Sequence, residues 1–186
     1  MGFHTFDAER AAVLEDESRF RFCSREELLA LVGASAGTRL LDVGSGTGFY
    51  TRELAPYVER TYALDVQPTM HAHHREAGLA EDVHLLVGAA EAIPLRSDAV
   101  DVAVSTMTFH EFASESSLAE LARVLRPGGR LVTVDWSLSG EQAAGPHPDE
   151  RFALADAVGF AEDAGFAVDV ARNRAETFVC VARLES

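Results

Sequence analysis

Apolar residues along this chain follow two rhythms. Runs that are apolar at consecutive or alternate positions predict strands over 38–43 (TRLLDV), 61–66 (TYALDV), 83–88 (VHLLVG), 99–106 (AVDVAVST), 130–136 (RLVTVDW), 166–172 (FAVDVAR) and 176–184 (ETFVCVARL). Between them lie stretches whose apolar residues return every three or four positions, the spacing of one helix face. Residues 24–33 (SREELLALVG) open on Ser24, place Glu27 three residues later and close on Gly33, the pattern of a capping-box helix. Further helices are expected over 47–58, from Pro68 to about Gly78, over 117–125 and over 149–164, the last stopped by Gly165. Pro127-Gly128-Gly129 reads as a sharp break between a helix and the strand after it.

Strands that alternate with helices, and are apolar enough to be buried on both faces, predict a parallel α/β sheet. The last two strands differ: only residues 173–175 separate them, too few for a crossover, so they must run antiparallel. The expected fold is a doubly wound, seven-stranded α/β sheet, mostly parallel with an antiparallel C-terminal strand. Ligands on such sheets bind at the carboxyl ends of the strands, near the point where the strand order reverses. That brings 42–50, 65–67, 88–91, 105–111 and 135–137 to one edge.

Composition narrows the class. A length of 186 residues suits one domain, expected over 1–186, with 1–36 as a helical cap or lid and 37–186 as the core. No apolar run approaches the roughly 18 residues of a membrane span, and the first residues, MGFHTFDAER, lack a signal-peptide pattern, so a cytoplasmic location is expected. Cys23 and Cys180 are too few and too far apart for a disulfide framework or a metal site, and Cys180 reads as a buried, inert thiol. Thirty acids face 16 bases, for a formal charge of -14, and every base is arginine. Such a surface repels nucleic acid and anionic membranes. It also fits adaptation to high salt, where screening relieves self-repulsion, or a GC-rich genome that encodes arginine in place of lysine.

The chemistry concentrates at LLDVGSGTGFYT, residues 40–51, where Gly44, Gly46 and Gly48 alternate after a strand. Glycine has no side chain to obstruct a ligand and accepts positive φ. The spacing is G-x-G-x-G, with Phe49 where a dinucleotide fingerprint would place its third glycine, and a chain without lysine has no P-loop. A carboxylate at Asp42, two residues before the turn, suits a cationic amino group better than a pyrophosphate. Asp65 ends the second strand, where an acid accepts hydrogen bonds from ribose hydroxyls. N-capping of the following helices is the competing explanation for both acids.

LLDVGSGTG, ALDVQPTM, VGAAEAIPL, VDVAVSTMTFHEF, LARVLRPGGRLVTVDW and EDAGF, in that order, resemble the successive motifs of the class I S-adenosylmethionine-dependent methyltransferases, over nearly the whole chain. The resemblance implies a Rossmann-like fold and S-adenosylmethionine as cofactor. It implies that Gly44, Ser45, Gly46 and Gly48 wrap the methionine and ribose portions, with Tyr50 covering the methionine end or starting the helix. Asp42 would hold the amino group, Asp65 the ribose hydroxyls, and Val66 would pack on adenine. Ala89 and Ala90 would border adenine, with Glu91 available where the family often has Asp at the place of Ala89. Ser105 and Thr106 would end the fourth strand beside the reacting centre.

Methyl transfer from a sulfonium needs an aligned nucleophile, and a base only if the acceptor must lose a proton. His110 and Glu111 in TFHEF are the catalytic candidates, against a packed histidine under a lid and a helix cap. The opening FDAERAAVLEDESRFRF, the FHEF loop and the DW…GP…R stretch resemble the methyltransferase type 11 group near the ubiquinone/menaquinone-biosynthesis C-methyltransferases. That likeness implies Arg19, Trp136 and Arg151 on the acceptor side, with surface ion pairing as the alternative for both arginines. Phe3, Phe6, Phe20 and Phe22 suit a lid or an anchor in the core. His71, His73 and His74 read as an exposed helix face, not a metal site. The expected partner is a small, partly apolar methyl acceptor; a non-catalytic sensor of the same cofactor is the rival. A nicotinamide enzyme fails on glycine spacing.

Overall fold

A computed structural model describes residues 6–185, which leaves Phe3 outside the described residues. Two 3-10 segments, Ala8–Glu15 and Glu17–Arg21, lead into α1 (Arg25–Val32). Ser24 accepts the Glu27 N–H, and Gly33 closes the helix in the left-handed region with φ 66°. The expected reciprocal half of the box is replaced: the Glu27 carboxylate pairs with Arg172 at 2.8 Å and Arg174 at 3.0 Å. The chain then alternates through β1 (Arg39–Val43), α2 (Phe49–Leu54), β2 (Arg60–Asp65), α3 (Pro68–Ala77), β3 (Val83–Val87) and β4 (Val100–Thr106). It continues with α4 (Phe109–Phe112), α5 (Glu115–Val124), β5 (Leu125–Trp136), α6 (Leu154–Asp163), β6 (Phe166–Asn173) and β7 (Thr177–Leu184).

The strands form one seven-stranded sheet in the order β3-β2-β1-β4-β5-β7-β6. All pair in parallel except β7, which runs antiparallel between β5 and β6. Successive residues of β1 point to opposite faces. Leu41 and Val43 pack with Phe109, Phe112, Leu118 and Leu121 of α4 and α5, while Leu40 packs with Leu28, Phe49 and Leu54 of α1 and α2. Both faces are therefore covered, which explains the near-continuous apolar strands. Among the described residues no helix is long and apolar enough to cross a membrane.

Three expectations need correction. FHEF is not a loop but a helical turn of its own, α4. Pro127-Gly128-Gly129 does not separate helix from strand: β5 begins at Leu125, and the triplet lies at an irregularity, where pairing jumps from Val100↔Leu125 to Val102↔Arg130. Such an extra loop on one strand is a bulge, and glycine and proline are tolerated there. The stretch 149–164 divides into a 3-10 turn, Pro148–Glu150, and α6, because Phe152 bridges to Ser137 instead of continuing a helix.

Asp101 closes the sheet at the edge away from the strand ends. It accepts from the Arg39 N–H at 2.8 Å, the Arg39 guanidinium at 3.1 and 3.0 Å, and Arg126 at 2.6 Å. Burial alone would raise its carboxyl, but these donors outweigh it and hold the group at about 2.

Candidate active site

A cavity of about 210 Å³ opens at the carboxyl ends of β1, β2, β3 and β4. Its floor is the turn from Val43 to Thr47; its walls come from Leu64–Gln67, Met70, Gly88–Glu91, Met107, Thr108, Glu111 and Phe112; Phe6, Leu14 and Arg19 cover it. Four of the five predicted edge segments thus meet there. The fifth, 135–137 at the end of β5, does not line the cavity.

The three glycines of the turn have different reasons to be glycine. A Cβ on Gly44 (φ 71°) would lie 2.2 Å from the Thr108 methyl carbon, and Thr108 donates to the Gly44 carbonyl at 3.2 Å. A Cβ on Gly48 (φ 83°) would lie 2.3 Å from the His74 ring. These two make room for the protein's own side chains. Gly46 meets only Leu14 of the cover, at 3.6 Å, so it is the glycine open to a ligand.

Asp65 organises the turn. Its Oδ2 accepts the Gly46 N–H at 2.8 Å and its Oδ1 accepts the Gln67 N–H, also at 2.8 Å. Burial raises its pKa, opposed by these two N–H groups. Asp42 sits differently. It faces α2, as strand alternation requires, and its Oδ2 accepts the Thr51 hydroxyl at 2.5 Å. It is fully buried and does not line the cavity; burial lifts it to about 6. Tyr50 also points away, with its hydroxyl 3.1 and 3.2 Å from the carbonyls of Arg19 and Cys23, so that it fastens the cover to α2. Gly48, Ser105 and Thr106 are buried behind the cavity wall. Ser45, Val66, Ala89, Ala90 and Glu91 line it.

His110 and Glu111 part company on α4. Glu111 faces the cavity, receives the Phe6 N–H, and is lifted by burial to about 7. His110 stands behind it: its N–H donates to Asp135 Oδ2 at 2.6 Å, and its Nδ1 lies 3.0 Å from both carboxylate oxygens. Burial disfavours the imidazolium, but Asp135 and Glu111 outweigh it and raise the His110 pKa. The Asp135 carboxylate is wholly enclosed, and His110 Nε2 lies 4.0 Å from Glu111 Oε1. Sequence inspection passed over Asp135. Its only signal was a charge at the end of an otherwise apolar central strand.

Arg19 lines the cavity, with its guanidinium 5.0 Å from the ring centres of both Phe49 and Tyr50 and donating to the Leu14 carbonyl at 2.6 Å. Trp136 and Arg151 lie elsewhere. Arg151 is buried among the carbonyls of Ala144, Pro146 and Ser137, and Trp136 packs on Phe22 and beneath Arg151. Their geometry holds the 137–151 loop, not an acceptor. Of the phenylalanines, Phe6 covers the cavity, while Phe20 and Phe22 pack against the α1–α2 core. The helix carrying His71, His73 and His74 is not an exposed histidine face: His71 and His74 are buried, and burial holds His74 neutral, at about 4. Only His73 is exposed. Both thiols are buried and pushed up to about 11, as inert cysteines are. No group of three metal-ligating side chains occurs among the described residues.

The donor set fits a cationic nucleoside. The Ser45 and Thr47 hydroxyls on the cavity floor are buried without a partner in the protein. Asp65 and Glu111 on the wall and Asp42 behind it are all raised by burial, so a positive ligand stabilises each of them.

A family model described as a methyltransferase domain matches residues 41–133. The crystal structure of a SAM-dependent methyltransferase from Aquifex aeolicus superposes with a TM-score of 0.88 at 31% identity, covering 97% of this chain and 100% of that one. The malonyl-[acyl-carrier protein] O-methyltransferase of Serratia marcescens is 38% identical over 109 residues, which are 58% of this chain and 42% of that protein. An uncharacterised methyltransferase of Mycobacterium tuberculosis is 40% identical over 108 residues, 58% of this chain and 43% of its own length. The match thus spans less than half of either curated relative.

Proposed function

The chain belongs to the class I S-adenosylmethionine-dependent methyltransferases, and from that premise we propose that it methylates a small, partly apolar molecule in the cavity above Gly46. The single observation that carries this is the cavity itself, apolar at Phe6, Leu14, Met70, Met107 and Phe112, yet charged at Asp65, Glu111 and Arg19. A recess covered by Phe6, Leu14 and Arg19 suits a small acceptor better than a polymer. The net charge of -14 adds electrostatic repulsion against nucleic acid.

Bound there, S-adenosylmethionine supplies a methyl group on a positively charged sulfur that leaves as a neutral thioether. The chain's own residues bind and align. Asp65 suits the ribose hydroxyls, since a carboxylate keeps acceptor capacity beyond the two N–H groups it already receives. Val66, half exposed at the rim, and Ala89, Ala90 and Glu91 frame an adenine site. Ser45 and the Gly46 backbone border the methionine portion, and Arg19 offers the cavity's positive charge to a carboxylate. Asp42 acts from behind the turn through Thr51 and its field, not by direct contact. Glu111 faces the acceptor, with His110 behind it. Phe6, Leu14 and Arg19 must move for exchange, and their closure excludes water and holds the reactants in register.

Calorimetry with S-adenosylhomocysteine tests the donor site. Asp65→Ala is expected to weaken binding at least about tenfold, the worth of one charge-assisted hydrogen bond, with the melting curve still cooperative. Unchanged affinity would remove the ribose assignment. Radiolabelled donor with a cell extract tests the acceptor: label should appear in a small molecule, and label confined to protein or RNA would overturn that part.

A further inference from the structure

We propose that Asp135, His110 and Glu111 form a buried proton-relay line ending at the acceptor, and that the acceptor is therefore a neutral X–H group, not a carboxylate. This rests on the donor and acceptor placement just proposed. Asp135 holds His110 twice over, by its backbone N–H at 2.6 Å and by the ring Nδ1 at 3.0 Å. That contact places a proton on Nδ1 and turns Nε2 toward Glu111, 4.0 Å away. Only Glu111 of the three borders the cavity. Asp135 and His110 are thus positioning residues, and Glu111 is the group that meets the acceptor. The groups facing this line are Asp65 across the cavity, Glu150 beside His110, and the Phe6 N–H on Glu111.

The step balances without any further reagent. The acceptor's X–H passes its proton to the Glu111 carboxylate, and an electron pair on X forms the bond to the methyl carbon: a lone pair where X is oxygen, sulfur or nitrogen, and the pair released from the C–H bond where X is carbon. The carbon–sulfur bond breaks, and its electron pair stays on sulfur. The proton then passes from Glu111 to His110 Nε2, giving an imidazolium beside the Asp135 carboxylate, and returns through Glu111 to solvent in the cavity once product has left. A carboxylate acceptor needs no base, and beside Glu111 and Asp65 it would meet like charge in a partly buried site. The line is superfluous for such an acceptor, so its presence selects a phenol, thiol, amine or activated C–H.

The test uses the full chain. Transfer of labelled methyl is measured to a phenol, an alkyl thiol, a primary amine, a 1,3-diketone and a medium-chain carboxylic acid, with S-adenosylhomocysteine affinity measured alongside. Label is expected in at least one X–H compound and not in the acid. Glu111→Gln should lower kcat by about 10²–10⁴-fold, with S-adenosylhomocysteine affinity within about threefold of wild type. Label in the acid, in no compound of the panel, or undiminished in the Glu111 variant would overturn the proposal. Failure of wild type to bind S-adenosylhomocysteine would instead overturn the donor-site reading.

Two readouts separate the line from mere structural support. Asp135→Asn should lower the pKa of the His110 ring, followed by nitrogen NMR in the product complex, by about one unit or more. Because Asp135 is buried, His110→Gln is the second variant. Loss of the nearby imidazolium should move the acidic limb of the kcat/KM profile to higher pH. A His110 ring that titrates as before in the Asp135 variant, or a limb that stays in place in the His110 variant, would sink the relay.

Discussion

At the scale of single residues, the glycine turn makes a graded prediction. Gly44→Ala and Gly48→Ala each force a Cβ into a side chain at 2.2 and 2.3 Å while keeping φ positive. Each should cost more than about 2 kcal/mol in denaturant unfolding, the combined effect of overpacking and left-handed strain. Gly46→Ala meets Leu14 only at 3.6 Å and should cost about 1–2 kcal/mol, the left-handed strain alone. Its larger effect should fall on donor affinity. Equal destabilisation by all three would show that the turn's shape, not its neighbours, sets the requirement.

Glu111 links function to stability through pH. Its carboxyl is raised by burial from 4.5 to about 7, so between those values the folded protein binds the proton that the unfolded chain has lost. Stability from this group is full below about 4.5 and falls as pH rises through about 7. The proposed catalytic base becomes ionised over the same range. Glu111→Gln should therefore raise the melting temperature relative to wild type at pH 8 and leave it nearly unchanged at pH 4. A difference of the opposite sign at pH 8 would mean that the folded protein stabilises the carboxylate.

At the scale of elements, periodicity made the strands legible: the central strands, covered on both faces, announce themselves as apolar runs, and the edge strand β6, exposed on one face, by alternation. The boundaries failed where local chemistry carries no period. α4 is a single helical turn, too short to show one, yet it sends Glu111 into the cavity and His110 back to Asp135. The 126–129 bulge keeps its strand pairing through residues that usually end an element. The site was legible where a backbone demand or a strand-end position fixes the residue, as at Asp65 and Ser45–Gly46. It was illegible where only strand alternation and helix rotation decide direction: Asp42 turns to Thr51, Tyr50 to the cover, and Asp135 toward His110. Trp136 and Arg151 drew attention as large polar or aromatic groups near the strand ends, but their partners are backbone carbonyls, Phe22, Glu176 and each other, none of them lining the cavity.

The Asp101 clamp tests whether elements are joined independently of the site. It ties the start of β1 to β4 and to Arg126 on the bulge of β5, at the end of the sheet away from the cavity. Asp101→Asn should destabilise by about 1–3 kcal/mol, since several charge-assisted bonds are weakened together. Because the folded carboxyl sits at about 2, below the ordinary 3.8, its contribution is complete above about 4 and lost as pH falls toward 2. The gap between variant and wild type should therefore narrow in acid, with S-adenosylhomocysteine affinity unchanged at neutral pH.

At the scale of the whole molecule, charge sets the sign of the salt response. Thirty acids share 16 arginines, and the arginines are not distributed one to an acid. Arg39 and Arg126 both serve Asp101, and Arg172 and Arg174 both serve Glu27, which leaves still more carboxylates without a cation. Added salt acts in two directions. It weakens exposed pairs such as Arg25–Glu26 and Arg183–Asp169, which water already screens and which contribute little. It also screens the repulsion among the excess acids, as the Debye length falls from about 10 Å at 0.1 M to about 3 Å at 1 M. With a net charge of -14 the repulsion reaches across the whole surface, whereas the exposed pairs are few and local, so relief should dominate. Each kcal/mol relieved raises the melting temperature by about 2–4 °C in a domain of this size. KCl is the appropriate salt, because sulfate would strengthen apolar burial as well and confuse the cause. The melting temperature should climb between 0.05 and about 1 M KCl, most steeply at the low end where the Debye length changes fastest. A flat or falling curve would mean that ion pairing, not repulsion, governs this surface, and that its arginine-only basic set reflects coding composition instead of salt.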